Sequence, residues 1–319
     1  MNATAARIVT IGETLLLMHS LETGALERAT SMGVTIGGAE SNVAIGLRRL
    51  GVPVTWVSRI GDDSAGRRVL RELRSESVAV EVEIDSRRPT GLMVKEQRSA
   101  NSTRVWYYRT GSAASMLTPA SVPPDVIESA SILHVTGITP ALSTSAAETV
   151  REAISRARTA GVLVSFDVNH RERLWSADEA APVYRDIAGD SDIVFAGVDE
   201  AQLLAPDAGS DPAALAAAIG ALGPREVIIK LGADGALACE DDRVVAVPAR
   251  TVAVVDTVGA GDAFVAGYLS ERLAGAPLES RLHTAAATGA FACTTHGDWE
   301  GLPDRDDLRT MDATEAVTR

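Results

Sequence analysis

Asp256-Thr-Val-Gly-Ala-Gly-Asp262 follows an apolar, strand-like run (Thr251 to Val255) and precedes a helix-like run from Ala263 to Leu273. A glycine-rich turn that opens a helix leaves backbone N–H groups without intrahelical partners. With the helix dipole, those groups favour a negative charge. Asp262 plants a carboxylate beside that anion. Phosphoryl transfer needs these two parts: amides to hold the transferring phosphate and an acid–base group to meet the attacking hydroxyl. Gly259-Ala-Gly261 has only part of the G-x-G-x-x-G spacing, and it lies near the C-terminus rather than after the first strand. The missing fingerprint after the first strand disfavours a nicotinamide-dependent oxidoreductase; the chain carries no Walker A pattern either.

Upstream of the turn, strand and helix patterns alternate. Strands are expected at Ile8 to Met18, Val54 to Ile60, Ile132 to Thr136, Val162 to Asp167, Ile193 to Ala196 and Val227 to Lys230. Helices are expected at Glu40 to Leu50, with Val43, Leu47 and Leu50 on one face, and at Ser64 to Ser75, Ala146 to Ala160, Ala177 to Ile187 and Asp211 to Leu222. A hairpin, Ala236 to Cys239 with Arg243 to Val247, leads to two closing helices, Ala260 to Leu273 and Leu278 to Phe291. This alternation implies an α/β protein with a mostly parallel sheet covered on both faces. Segments of about 20–36 and 85–110 lack helices and read as short strands, Gly91 to Val94 and Thr103 to Arg109 among them. They predict a small antiparallel sheet projecting as a lid from a single domain over 1–319; edge strands of the main sheet are the alternative. A lid with apolar faces predicts pairing with another subunit's lid, hence a homo-oligomer.

The composition, 46% hydrophobic and 23% charged, suits a globular protein. Thirty Lys and Arg against 43 Asp and Glu give a net charge of −13. That argues against a nucleic-acid partner, although a local Arg cluster can still bind a small anion. Two cysteines, Cys239 and Cys293, are too few for a disulfide framework, and a reducing cytoplasm is expected. No run approaches a membrane span, and the N-terminus lacks the order of a signal peptide.

Five further stretches carry candidate polar groups, the first three of them at strand ends, where open α/β sheets bind ligands. Gly37-Gly-Ala-Glu-Ser-Asn42 permits close backbone approach and offers Asn42 to hydroxyls, but also fits a plain turn and helix start. Asp167-Val-Asn-His-Arg171 puts Asn169 and Arg171 beyond a strand, with His170 as a bystander. Lys230-Leu-Gly-Ala-Asp-Gly235 makes a tight turn suited to a nucleotide or simply to a hairpin. Trp106-Tyr-Tyr-Arg109 sets an Arg that can clamp a carboxylate beside aromatic rings, or an exposed strand with Arg in solvent. Gly297-Asp-Trp-Glu-Gly301 closes the series; a lone Asp in such a loop is usually solvated.

Two motifs together resemble the signatures of the ribokinase-like carbohydrate kinases, the PfkB family. The first is Gly37, Gly38, Asn42, Gly51 and Gly61; the second is Asp256 to Asp262 followed by Ala266-Gly267. The resemblance runs from about Ile8 to Pro303. Tyr107 to Ala113, Thr136 to Leu142, Asp167 to Arg171 with Leu174-Trp175, and Gly297 to Gly301 are similar to members acting on 2-keto-3-deoxygluconate. The resemblance implies a three-layer core and ATP-dependent phosphorylation of a sugar acid's C6 hydroxyl; a sibling kinase of fructose, ribose or another deoxy-sugar acid, or a non-catalytic sugar-binding regulator, is the alternative. Asp262 would be the general base, and Gly259, Ala260 and Gly261 the anion hole. Gly38, Asn42, Tyr107, Arg109, Arg171 and Asp298 would hold the sugar acid. Lys230, Gly232 and Gly235 would lie along ATP, with Asn169 near the phosphates or their Mg²⁺. Gly197 stands where many members have Asn, leaving Glu200, through water, to hold Mg²⁺; near the adenine, Ala286 replaces an Asn. An Asp of ordinary pKa, about 4, suffices where the proton leaves late in a loose transition state.

Overall fold

The computed structural model describes residues 7–311, apart from 100, 101 and 242. The chain runs β1 (Ile8–Ile11), β2 (Leu15–Ser20), β3 (Met32–Gly37), α1 (Ala39–Arg49), β4 (Val54–Gly61), α2 (Ser64–Ser75), β5 (Ala79–Asp85), β6 (Leu92–Ser99) and β7 (Ser102–Tyr108). It continues α3 (Pro124–Glu128), β8 (Ile132–Thr136), α4 (Thr144–Ala160), β9 (Leu163–Asp167), α5 (Ala177–Gly189), β10 (Ile193–Gly197), α6 (Val198–Leu204), α7 (Pro212–Gly220) and β11 (Glu226–Lys230). The last elements are β12 (Ala236–Glu240), β13 (Arg243–Val247), α8 (Ala260–Leu273), α9 (Leu278–Ala292) and α10 (Arg305–Met311).

Nine strands form one sheet in the order β13-β12-β11-β10-β9-β8-β1-β4-β5. All neighbours are parallel except the β11-β12-β13 meander. Successive strand residues point to opposite faces, and each face has its own core. Ile8, Trp56, Ile132, Phe195 and Ile228 pack against α1, α2, α8 and α9. Val9, Val57, Leu133, Phe166, Val194 and Ile229 pack against α3 to α7. Strands buried on both sides therefore read as continuous apolar runs, and the architecture has three layers.

A second sheet, β3-β2-β6-β7, stands apart from the first. It occupies residues 15–37 and 92–108, displaced from the expected 20–36 and 85–110. It is not wholly antiparallel, because β2 and β6 pair in parallel. Leu15, Leu17, Met93 and Val105 form a small apolar cluster on one of its faces.

The expected first strand, Ile8 to Met18, is two strands in two sheets, broken at Gly12-Glu13-Thr14. Thr251 to Val255 is not a strand; it approaches the glycine turn as irregular chain, its backbone tied to Cys293 through the Val255 N–H at 2.8 Å. Strand β5 and helix α6 were not anticipated. No helix among the described residues is long and apolar enough to cross a membrane.

Candidate active site

Helix α8 begins at the glycine turn. Gly259 is its N-cap with φ 76°, and a Cβ there would lie 2.0 Å from the Asp298 carbonyl oxygen. Only glycine satisfies both the left-handed backbone and that approach. Asp262 lies in the first turn of α8, beside the amides of Gly259, Ala260 and Gly261. Helix α1 runs alongside: Asn42 Nδ2 donates to Asp262 Oδ2 at 2.8 Å. Four residues on along each helix, a Cβ on Gly46 would come within 2.8 Å of Ala266 Cβ. The two signature motifs thus form one parallel seam with both N-termini at the same cavity.

Asp262 is half-buried and lines a cavity, with protein around it on its other sides. Burial, helped by repulsion from Asp167, pushes its carboxyl up to about 7 against the pull of the Asn42 amide, Arg171 and Lys230. This corrects the expectation of an ordinary pKa near 4, since a carboxylate denied bulk water binds its proton more tightly.

A polar cavity of about 360 Å³ opens in front of this seam. It gathers Gly38, Asn42, Tyr107, Arg109, Asn169, Arg171, Lys230, Gly259, Gly261, Asp262 and Asp298. Asn169, expected near the phosphates, thus lies on this wall, with φ 39° at the end of β9. The buried Oδ1 of Asn42 has no partner among the described atoms, which leaves an acceptor for a ligand hydroxyl. Asp298 is 7% exposed rather than solvated, and Trp299 beside it is buried with its indole N–H donating to the Ile36 carbonyl at 3.2 Å.

Four cations line the cavity. Arg109 is held by Glu13, its Nε donating at 2.6 Å, and its guanidinium stacks on Tyr107 at 5.6 Å. Lys95 pairs with Asp298. Lys230 Nζ donates to Asp167 at 2.7 Å; burial alone would lower the lysine's pKa, but Asp167 and Glu200 outweigh it and hold the lysine protonated. Arg171 is exposed and makes no ion pair among the described residues; its Nη1 donates to the His170 carbonyl at 3.2 Å. Glu13, Glu40 and Lys95 escaped the sequence reading.

An apolar cavity of about 580 Å³ lies behind the glycine turn, walled by Gly232, Gly235, Ala260, Phe264, Ala286, Gly289 and Val252. A third, of about 670 Å³, is lined by Gly197, Glu200 and Asp234. Lys230 and Gly261 belong to all three cavities. Glu200 accepts the backbone N–H of His170 at 2.9 Å and that of Gly197 at 2.7 Å. No group of three or more His, Cys, Asp or Glu among the described residues forms a metal cage. Mg²⁺ commonly needs none, keeping its waters and binding mainly to phosphates.

A carboxylate in the first turn of a helix opened by glycines, between a polar cavity and an apolar one, suits a phosphotransferase with an alcohol as acceptor. The model of the pfkB family carbohydrate kinases matches residues 5–305, and the chain belongs to that family. It is an enzyme, a carbohydrate kinase. The chain is 39% identical to the 2-dehydro-3-deoxygluconokinase of Bacillus subtilis, over 95% of this chain and 94% of that one. It is 35% identical to the 2-dehydro-3-deoxygalactonokinase of Haloferax volcanii, over 92% of each. A putative ribokinase II from E. coli, solved in complex with ATP and Mg²⁺, superposes with a TM-score of 0.89 at 25% identity, covering 96% of this chain and 98% of that one.

Proposed function

We propose that this kinase transfers the γ-phosphoryl group of ATP to the C6 hydroxyl of 2-keto-3-deoxygluconate, the sugar acid also called 2-dehydro-3-deoxygluconate, in the cytoplasm. The observation that carries the substrate class is Arg171. Of the four cavity cations it makes no ion pair among the described residues, so its charge is left for a ligand carboxylate. A buried carboxylate needs such a partner, whereas a neutral sugar does not. Asn42 Oδ1 and Gly38 meet hydroxyls, and Tyr107, Arg109 and Asp298 complete the wall. Asp262 takes the C6 proton as the oxygen attacks phosphorus, the anion hole carries the charge on the transferring group, and ADP leaves. A base near pKa 7 is matched to neutral pH.

The apolar cavity suits a nucleobase, with Gly232 and Gly235 along the nucleoside and Lys230 reaching the phosphates. Mg²⁺ on those phosphates would neutralise their charge, and Glu200 would reach it through water, since both its oxygens already accept backbone N–H bonds. The small sheet acts as a lid within a single 1–319 domain. Its outer face presents Leu16, Met18, Leu92, Val94 and Trp106 with Val34 (41% exposed) and Tyr108 (64% exposed), a surface that favours pairing with a second copy of the lid. Replacing Trp106 and Tyr108 by Glu should lower the sedimenting mass; an unchanged mass would discard the lid interface.

The test of the substrate is an ADP-release screen over neutral sugars, aldonic acids and 2-keto-3-deoxy acids. Highest kcat/KM on 2-keto-3-deoxygluconate is expected. Preference for fructose or ribose would overturn the arginine argument, and preference for the galacto epimer would move the substrate within the same class.

A further inference from the structure

Asp298 presents a second carboxylate to a cavity meant for an anion. The loop that follows it is anchored. Arg49 Nη1 donates to the carbonyls of Trp299 at 3.3 Å, Glu300 at 3.0 Å and Leu302 at 2.6 Å, and Trp299 is tied to Ile36. The charged groups that act most on Asp298 are Lys95 from β6, Glu300 from its own loop and Asp256 from the segment before α8; Glu13, Glu40, Arg109, Asp167, Arg171, Lys230 and Asp262 line the same cavity. Lys95 alone pairs with it among the described residues, and 12% of the lysine side chain is exposed against 8% for the aspartate. The register places Lys95 opposite Val105, on the sheet face that carries Met93 and Tyr107 toward the cavity. Nothing in the reaction described so far uses this lysine.

We propose that Lys95 is a positioning residue that sets acid specificity: by neutralising Asp298 from the small sheet, it lets the cavity accept a sugar that carries a carboxylate. The inference rests on the sugar-acid reading above. Like charges repel strongly where water is scarce, so an unpaired Asp298 would oppose an acid substrate and leave a neutral sugar almost unaffected. Burial, Glu300 and Asp256 raise the Asp298 carboxyl above its ordinary range, while Lys95 pulls it back. Without Lys95, Asp298 would take up a proton more readily still. A proton can then replace the lysine's charge as pH falls.

The experiment measures, on the full chain with a non-hydrolysable ATP analogue bound, the Kd of 2-keto-3-deoxygluconate from mildly acid to mildly alkaline pH, together with KM and kcat. Lys95→Met should weaken acid binding by roughly 10-fold or more at alkaline pH, with a smaller change in kcat. The ratio of variant to wild-type Kd should shrink as pH falls, a response that a merely structural lysine would not give. Lys95→Arg should restore binding, and the double variant Lys95→Met/Asp298→Asn should bind the acid better than Lys95→Met alone. A ratio independent of pH overturns the proposal. So does a double variant no better than the single one, which would put Lys95 directly on the substrate carboxylate. A wild type that phosphorylates sugar acids while Lys95→Met matches it overturns this inference alone. A wild type confined to neutral sugars overturns the proposed function and this inference with it.

Discussion

The two cavities that meet at Lys230 and Gly261 are built on opposite principles. The polar one is walled by Glu13, Glu40, Lys95, Arg109, Asp167, Arg171, Lys230, Asp262 and Asp298, whereas the apolar one shows only Lys230 and Arg250 among charged side chains. The first is assembled from both sheets and from loops far apart in the chain; the second comes almost entirely from the last third. Charge selects in one and shape in the other. A hydrogen-bonding or ionic site rejects a ligand lacking the matching group far more strongly than an apolar slot rejects a near isostere. Discrimination should therefore be steep for the acceptor and shallow for the nucleotide.

That contrast breaks first at Asp262. Asp262→Ala should lower kcat by roughly 10²- to 10⁴-fold while an ATP analogue binds as before; near-normal turnover in a coupled ADP assay would remove the base. On the proposed mechanism the carboxylate is the active form, so kcat/KM should fall as pH drops below about 7, where the raised pKa of Asp262 lies in the free enzyme. A flat acid limb in the kcat/KM profile would show that proton uptake there is not limiting. Gly259→Ala comes next, because it combines a disfavoured φ with a clash against the Asp298 carbonyl. It should cost about 10²- to 10³-fold in kcat, the worth of an oxyanion donor, with the fold retained by circular dichroism. Arg171→Leu should raise KM for the sugar acid roughly 10- to 100-fold and leave a neutral sugar nearly unchanged; equal losses for both would erase the charge-selective side of the comparison. The smallest effect belongs to the apolar side. Ala286→Asn should alter the ATP-to-GTP ratio of kcat/KM by less than about 10-fold, and a larger change would mean that the base is read by hydrogen bonds after all.

Much of the core was legible because burial on both sheet faces leaves a strong imprint. Ile132–Thr136, Ser64–Ser75 and Ala260–Leu273 fall where their patterns place them. The break at Gly12-Glu13-Thr14 was hidden, since β1 and β2 together read as one apolar run although they belong to different sheets. Strand β5 alternates Val and Glu at an exposed sheet edge, and α6 is only about two turns long, too short for a periodic signal. Thr251 to Val255 has strand-like residues but faces the apolar cavity and pairs with no strand among the described residues, only with the end of α9 through Cys293. Within the site, the glycines and Asp262 announced themselves through turn chemistry. Lys95 and Glu13 did not, because a lysine in a strand and a glutamate after one are ordinary surface residues until the fold brings Asp298 and Arg109 to them. The shift of Asp262 to about 7 was equally invisible, because it depends on enclosure and on Asp167 rather than on neighbours in sequence.

The seam between α1 and α8 has a consequence for heredity. Asn42 touches Asp262, and Gly46 leaves room for Ala266, across 220 residues of chain in each case. A recombination between relatives that crosses anywhere between these helices inherits one strip of the seam from each parent. Such chimeras should survive only where both parents carry the same four residues. The two signature motifs are then one unit of descent written in two places, and a drift in either would be expected to drag its distant partner along.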